Sequence, residues 1–112
     1  MKIVTLDKGI NIENYQSISS NYLKIMKTEE ATNIGIITIG LNGVLGYHQA
    51  PVPQLFMVVN GEGWVRGADQ KQMPISSGQT VFFEKGEWHE TGSEKGLTAF
   101  VLQAGELNNP FK

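Results

Sequence analysis

Turn signals recur about every 8 to 12 residues along this chain and separate short apolar runs. The runs at 34–43, 54–67, 79–92 and 97–106 are rich in Val, Ile, Leu and Phe, and glycine marks the turns around them. No longer stretch shows the period of an amphipathic helix, and thirteen glycines in 112 residues fit many tight turns. The pattern predicts a single all-β domain of about eight short strands, arranged as a sandwich or a barrel.

Particular turns follow from the same signals. The pair Asn42 and Gly43 predicts a hairpin, and the sequence Asn-Gly-Glu-Gly at 60–63 predicts a turn between two strands. A further turn is expected at Lys85 and Gly86, and a turn of helix is possible within 7–20. The last six residues, 107–112, are expected to form a frayed tail.

Charge and composition exclude several classes of function. A net charge of −2 without a basic cluster gives no electrostatic basis for a nucleic-acid partner or an anionic membrane. The chain has no cysteine, which excludes disulfides, thiolate metal sites and a cysteine nucleophile. Without a signal peptide or a run of about 18 apolar residues, the sequence predicts a cytoplasmic protein.

The chain has two histidines, His48 and His89, which lie about forty residues apart. If His48 points inward, strand alternation puts Gln54 and Phe56 on the same interior face beyond the Pro-Val-Pro bend. His89 would share its face with Ser93. A small barrel therefore allows both histidines and Gln54 to line one cavity.

The spacing around His48 resembles the first motif of the cupin superfamily. That motif runs glycine, five residues, His-x-His, three or four residues, Glu, six residues and Gly. Here His48 stands at the first histidine, Ala50 replaces the second, Gln54 replaces the glutamate, and Gly61 follows after six intervening residues. The leading glycine, Gly43, is one place out of register.

The spacing around His89 resembles the second cupin motif. Gly78, Gly86 and His89 fall at the motif positions, while Glu84 replaces its proline and Ser93 its asparagine. The resemblance covers residues 34–103. It implies a double-stranded β-helix, or small jelly-roll barrel, over 31–107. It also implies a homodimer in which residues 1–30 pack on the barrel or on a partner.

The resemblance further implies a divalent metal, Fe, Mn, Ni, Zn or Cu, with His48, Gln54 and His89 as its ligands. Replacing a glutamate by Gln54 removes a negative charge beside the ion, and Ala50 removes a donor, so binding should be weaker than is usual in the family. A glutamate near His89 is an alternative source of the carboxylate; the order of preference is Glu84, Glu87, Glu90.

The main functional hypothesis is a metal site whose pocket takes a small anionic or oxygenated ligand. An enzyme of this kind would be an oxygenase, isomerase or lyase, with Tyr47 and Glu84 as candidates for proton transfer. The expected pocket residues are Phe56, Trp88 and Ser93. One alternative is a metal-free sensor or storage barrel. Another is a dimerisation scaffold whose interior is filled by Phe56, Phe83 and Trp88.

Overall fold

The computed structural model describes residues 1–107, so residues 108–112 of the predicted tail lie outside the described chain. The all-β prediction is confirmed: apart from one 3-10 turn, Asn14–Gln16, the regular elements of the described residues are strands. The ten strands within residues 1–107 are β1 (Lys2–Thr5), β2 (Ile10–Asn11), β3 (Asn21–Tyr22), β4 (Thr32–Ile39), β5 (Gly43–Gln49), β6 (Gln54–Arg66), β7 (Met73–Ser76), β8 (Gln79–Phe83), β9 (Trp88–Ser93) and β10 (Leu97–Ala104).

Two antiparallel layers form the barrel and share β6. The larger layer has the order β1-β8-β6-β10-β4, and the smaller is built from β5, β9, β6 and β7. The first half of β6 pairs with β8 and β10, and its second half pairs with β7 and β9. Strands β2 and β3 form a separate two-stranded ribbon. No helix within residues 1–107 is long and apolar enough to span a membrane.

The predicted turn at 60–63 is wrong, because β6 runs unbroken through it. Gly61 has a φ of 85°, and a Cβ there would lie 2.2 Å from the carbonyl oxygen of Gly96. The opposing strand β10 shifts register between Thr98 and Ala99 at the same level. Here the glycine permits close approach and a bend that carries β6 from one layer to the other, rather than a reversal of the chain.

The predicted hairpin at Asn42 and Gly43 is also wrong, although the chain does turn there. Asn42 has a φ of 53°, yet β4 pairs with β10 while β5 pairs with β9. The turn is therefore a corner between the two layers. The predicted turn at Lys85 and Gly86 is confirmed, since Gly86 has a φ of 89° between β8 and β9.

Apolar side chains pack on both faces of the larger layer. The interior cluster fills the barrel, and a second cluster on the outer face is covered by Ile25, Met26 and Leu107. The alternation of β6 explains this division, because Phe56 and Val58 point inward while Leu55 points outward. The buried members of the interior cluster are Ile39, Ala50, Phe56, Val58, Val65, Ile75, Val81, Phe83, Leu97, Ala99 and Val101.

Candidate metal and ligand site

The two histidines face each other across a pair of strands. His48 on β5 is the register partner of His89 on β9, and their ring centroids lie 4.4 Å apart in an edge-on arrangement. His89 is 3% exposed, while His48 lies on the surface. The structure thus brings together the two imidazoles that the motif spacing singled out, one inside the barrel and one at its mouth.

Both imidazole rings are oriented by backbone carbonyl groups. His48 Nδ1 lies 2.6 Å from the carbonyl oxygen of Gly46, and His89 Nδ1 lies 3.3 Å from that of Glu87. A carbonyl oxygen only accepts, so in a neutral ring Nδ1 carries the proton and Nε2 keeps its lone pair. Each Nε2 is therefore available to a metal ion or to a proton donor on a ligand.

The inner side of His89 is apolar. Phe83 stacks on it with centroids 4.0 Å apart and an angle of 18° between the rings. Burial is the largest influence on the imidazole and lowers the pKa of His89 below its usual value, and the neighbouring His48 lowers it further. The carbonyl of Glu87 opposes this shift. The surroundings of His89 thus favour the neutral ring that ligation requires.

Gln54 lies on the interior face beside the same phenylalanine. It is 5% exposed, and its register partners are Phe83 on β8 and Gln103 on β10. Gln103 Nε2 donates a hydrogen bond of 3.0 Å to Gln54 Oε1. The amide oxygen expected to ligate a metal thus already accepts a hydrogen bond. Gln103 was not identified from the sequence, although it occupies an inward position in the apolar run at 97–106.

The three glutamates near His89 are placed differently from one another. Glu84 is exposed in the turn after β8. The Glu87 carboxylate pairs with the Met1 ammonium and accepts a 2.8 Å bond from the Glu84 backbone N–H. Glu90 pairs with Arg66. Within residues 1–107, no three His, Cys, Asp or Glu side chains are grouped to hold a metal.

Tyr47 and Trp88 lie on the other side of the strands that carry the histidines. Their rings stack on each other with centroids 5.2 Å apart, and they are 41% and 44% exposed. Each directly precedes a histidine, so strand alternation turns its side chain away from the barrel interior. The structure therefore brings neither Tyr47, the proton-transfer candidate, nor Trp88, the pocket candidate, to the imidazole side.

The other two pocket candidates, Phe56 and Ser93, make contacts that stabilise the barrel itself. Phe56 is buried in the interior cluster. Ser93 Oγ, at the far end of β9 from His89, donates a 2.5 Å bond to the Glu62 carbonyl and accepts a 2.8 Å bond from the Gly96 N–H. Phe56 and Phe83 thus fill part of the interior, as the scaffold alternative expected, but Trp88 does not join them.

Two open cavities lie away from the histidines. One of about 640 Å³ is lined by Trp64, Pro74 and Lys95 with neighbouring polar groups. Another of about 690 Å³ adjoins Asn60 and Leu97. Neither cavity includes a histidine. The ligand hypothesis rests on the imidazole pair, which combines available donor atoms with the burial of His89.

Comparison with solved structures identifies the fold. No protein-family model and no curated protein sequence matches the chain significantly. A cupin-like protein from Thermotoga maritima aligns with a TM-score of 0.62 at 16% identity, covering 66% of this chain and 57% of that one. The DMSP lyase DddQ from Ruegeria pomeroyi aligns with a TM-score of 0.63 at 20% identity, covering 71% and 41%.

An RmlC-like cupin from Shewanella frigidimarina gives a TM-score of 0.62 at 16% identity, covering 70% of each chain. The chain spans 57% of the Thermotoga cupin-like protein and 41% of the lyase, so it is shorter than either. Structural similarity at identities this low establishes the architecture alone. The chain has the cupin fold, and the prediction of a small jelly-roll barrel is confirmed.

Proposed function

We propose that this cupin-fold barrel binds a divalent metal ion through His48 and His89, together with a small anionic or oxygenated molecule. The observation that carries the proposal is the facing pair of imidazoles, whose Nδ1 atoms both lie against backbone carbonyls. That arrangement leaves both Nε2 lone pairs for an ion. Structural matches named as a DMSP lyase, a predicted oxalate decarboxylase and a polyketide cyclase support a small-molecule ligand.

The donor atoms fit a site that binds metal less tightly than is usual in cupins. Imidazole suits Fe, Mn, Ni, Zn and Cu alike, so the pair does not select among them. Glu87 and Glu90 are engaged by the Met1 ammonium and Arg66, and Gln54 is neutral. An ion held by neutral ligands keeps its full charge and several open positions. When bound, it would act as a Lewis acid that favours a chelating carboxylate or enolate, which is compatible with oxygenase, isomerase or lyase chemistry.

Elemental analysis of untagged protein from metal-supplemented cells tests the metal proposal. Near-stoichiometric Fe, Mn, Ni, Zn or Cu is expected in the natural sequence, and its loss is expected in His48→Ala and His89→Ala. Tyr47→Phe is the matched control, because Tyr47 precedes His48 but lies on the opposite face. Metal far below stoichiometric in the unsubstituted protein, or retained by both histidine variants, would contradict the proposal.

A metal-free binding barrel is the second candidate. It is favoured by the bond from Gln103 to Gln54 Oε1, which already occupies the amide oxygen. In this case the imidazole Nε2 atoms would accept hydrogen bonds from hydroxyl groups of the ligand. Binding of a hydroxy acid such as malate to metal-free protein, measured by calorimetry and lost in His89→Ala, would support this candidate.

We also propose that the protein forms a homodimer in the cytoplasm without nucleic-acid or membrane partners. The net charge of −2 supports the absence of polyanion partners. Exposed apolar side chains support self-association: Ile34, Ile36 and Phe100 lie uncovered on the outer face of the larger layer. A patch of this kind on a small protein favours a protein partner.

A further inference from the structure

Buried Gln54 and half-buried Gln103 form an amide pair on the inner face of the larger layer. They are register partners on β6 and β10, and the bond from Gln103 Nε2 to Gln54 Oε1 measures 3.0 Å. Val101, two residues before Gln103, and Phe56, two residues after Gln54, both belong to the interior cluster. Both amides therefore project into the barrel interior at the level of Phe83, the ring that stacks on His89.

The free end of the Gln54 amide is not sealed in the core. Within residues 1–107, the buried side-chain polar atom that lacks a hydrogen bond is Thr80 Oγ1. Gln54 Nε2 has no hydrogen-bond partner in the same part of the chain, so it reaches accessible space. An amide NH2 with no protein acceptor, on a residue that is only 5% exposed, is a donor that a ligand can satisfy.

The same pair can form an equivalent hydrogen bond in a second way. If both amides rotate by 180°, Gln54 donates and Gln103 accepts, and the oxygen of Gln54 then becomes the free atom. The two arrangements differ in what Gln54 offers: a donor for an oxyanion, or an oxygen for a metal ion. The structure has the first arrangement.

We propose that Gln103 is a positioning residue that holds the Gln54 NH2 outward from the pair, so that Gln54 recognises an oxygen of a carboxylate ligand instead of completing the metal's ligand set. The role of the ligand rests on the proposed function, whereas the orientation of the amide does not. Gln54 then sets the preference for an oxyanion over a neutral molecule, while the histidines hold the metal ion of the proposed function.

Gln103→Glu provides a test because a carboxylate accepts hydrogen bonds and cannot donate them at pH 8. The variant would draw the Gln54 NH2 to residue 103 and turn the Gln54 oxygen to the accessible side. In metal-free protein, one Gln54 side-chain amide proton is expected to shift downfield in ¹H–¹⁵N NMR spectra, as it does on donation to a carboxylate. An unchanged Gln54 amide resonance would overturn the proposal whether or not any metal or ligand binds.

The second part of the test compares the affinities of the unsubstituted protein and Gln103→Glu for Co²⁺ and for malonate. Gln103→Glu should tighten Co²⁺ binding by about tenfold, change its visible absorption spectrum and weaken malonate binding by a similar factor. The added charge alone is measured by making Gln103→Glu in a Gln54→Met background. There the spectral change should vanish and most of both affinity changes should be lost. Equal changes in both backgrounds would show that the substitution acts only through its added charge, and this would overturn the positioning role of Gln103.

If the unsubstituted protein binds no Co²⁺, the metal proposal fails while the amide shift and the malonate affinities still decide the role of Gln103. If the amide shift appears but malonate binds equally well to both proteins, the positioning of Gln54 has no bearing on the ligand. That result would overturn the recognition role.

Discussion

At the scale of single residues, His89 shows how packing selects a protonation state. The Phe83 ring lies on one side of it, and burial removes the water that would solvate an imidazolium ion. Because the pKa of His89 is lowered, there is a pH range in which His89 is protonated in the unfolded chain and neutral in the folded chain. This makes the stability of the metal-free protein depend on pH.

We expect the free energy of unfolding to fall as the pH drops below about 6.5, the value for an unfolded histidine. Stability from neutral His89 is complete above that pKa and is lost between it and the lower folded pKa. Urea denaturation of metal-free protein between about pH 8 and pH 5.5 measures the effect, and His89→Gln should flatten the dependence. His48→Gln should retain most of it, because burial is the larger cause; identical slopes in all three proteins would refute this account.

Ser93 is expected to matter for stability and not for binding. Ser93→Ala removes the hydroxyl that bridges Glu62 and Gly96, so the variant should lose roughly 1–2 kcal/mol of unfolding free energy. Its metal content should equal that of the unsubstituted protein. Ser20→Ala, which removes an exposed hydroxyl bonded to the Ile18 carbonyl, serves as the control and should cost less than about 0.5 kcal/mol. A lowered metal content in Ser93→Ala would contradict this prediction and indicate that Ser93 contributes to the site.

The sequence could predict the histidine pair because motif spacing encodes which strand positions meet. It could not predict Gln103, because its partner depends on the pairing of β6 with β10, which joins residues 49 apart in the chain. Tyr47 and Trp88 each directly precede a histidine in the sequence. Strand alternation places immediate neighbours on opposite faces, and this rule outweighs proximity.

At the scale of strands, two glycines with the same backbone preference have opposite effects on chain direction. Gly86 reverses the chain between β8 and β9, whereas Gly61 lies inside the continuous β6. Both have positive φ, so local sequence cannot separate them. The difference arises because the second half of β6 pairs with β7 and β9, and those long-range pairings continue the strand.

Gly63 in β6 is expected to be intolerant of a methyl group. A Cβ at Gly63 would lie 2.2 Å from the carbonyl oxygen of Gly92 on the neighbouring strand, and backbone cannot move aside without disturbing the layer. Gly63→Ala should therefore cost at least about 1–3 kcal/mol in urea denaturation. Gly35 in β4 is the matched control: it has no atom within 4 Å of its Cβ position, so Gly35→Ala should be neutral or slightly stabilising. Equal effects at both positions would contradict the close approach of the strands.

At the scale of the molecule, the barrel was predictable and the N-terminal region was not. The radius of gyration is 15.0 Å, against about 13 Å for a compact chain of this length. Strand β1 joins the larger layer beside β8, while the β2–β3 ribbon leaves Ile10, Tyr15, Ile18 and Tyr22 exposed. The turn residues at 7–20 do not predict such a ribbon. Its two strands pair at only two positions, and strands this short leave no alternating pattern in the sequence.

The exposed apolar surface leads to a prediction about assembly. Ile36 on β4 is 63% exposed beside Phe100 and Ile34, so this face presents an apolar patch that a second copy of the chain would cover in a dimer. Light scattering should give twice the 12.3 kDa chain mass for the unsubstituted protein and the single-chain mass for Ile36→Glu, because a carboxylate would be buried without a partner. Val44→Glu, at a 57% exposed position on the other layer, should remain dimeric. The prediction is wrong if the unsubstituted protein is monomeric at every concentration. It is also wrong if Ile36→Glu remains dimeric, because the dimer would then form through another face.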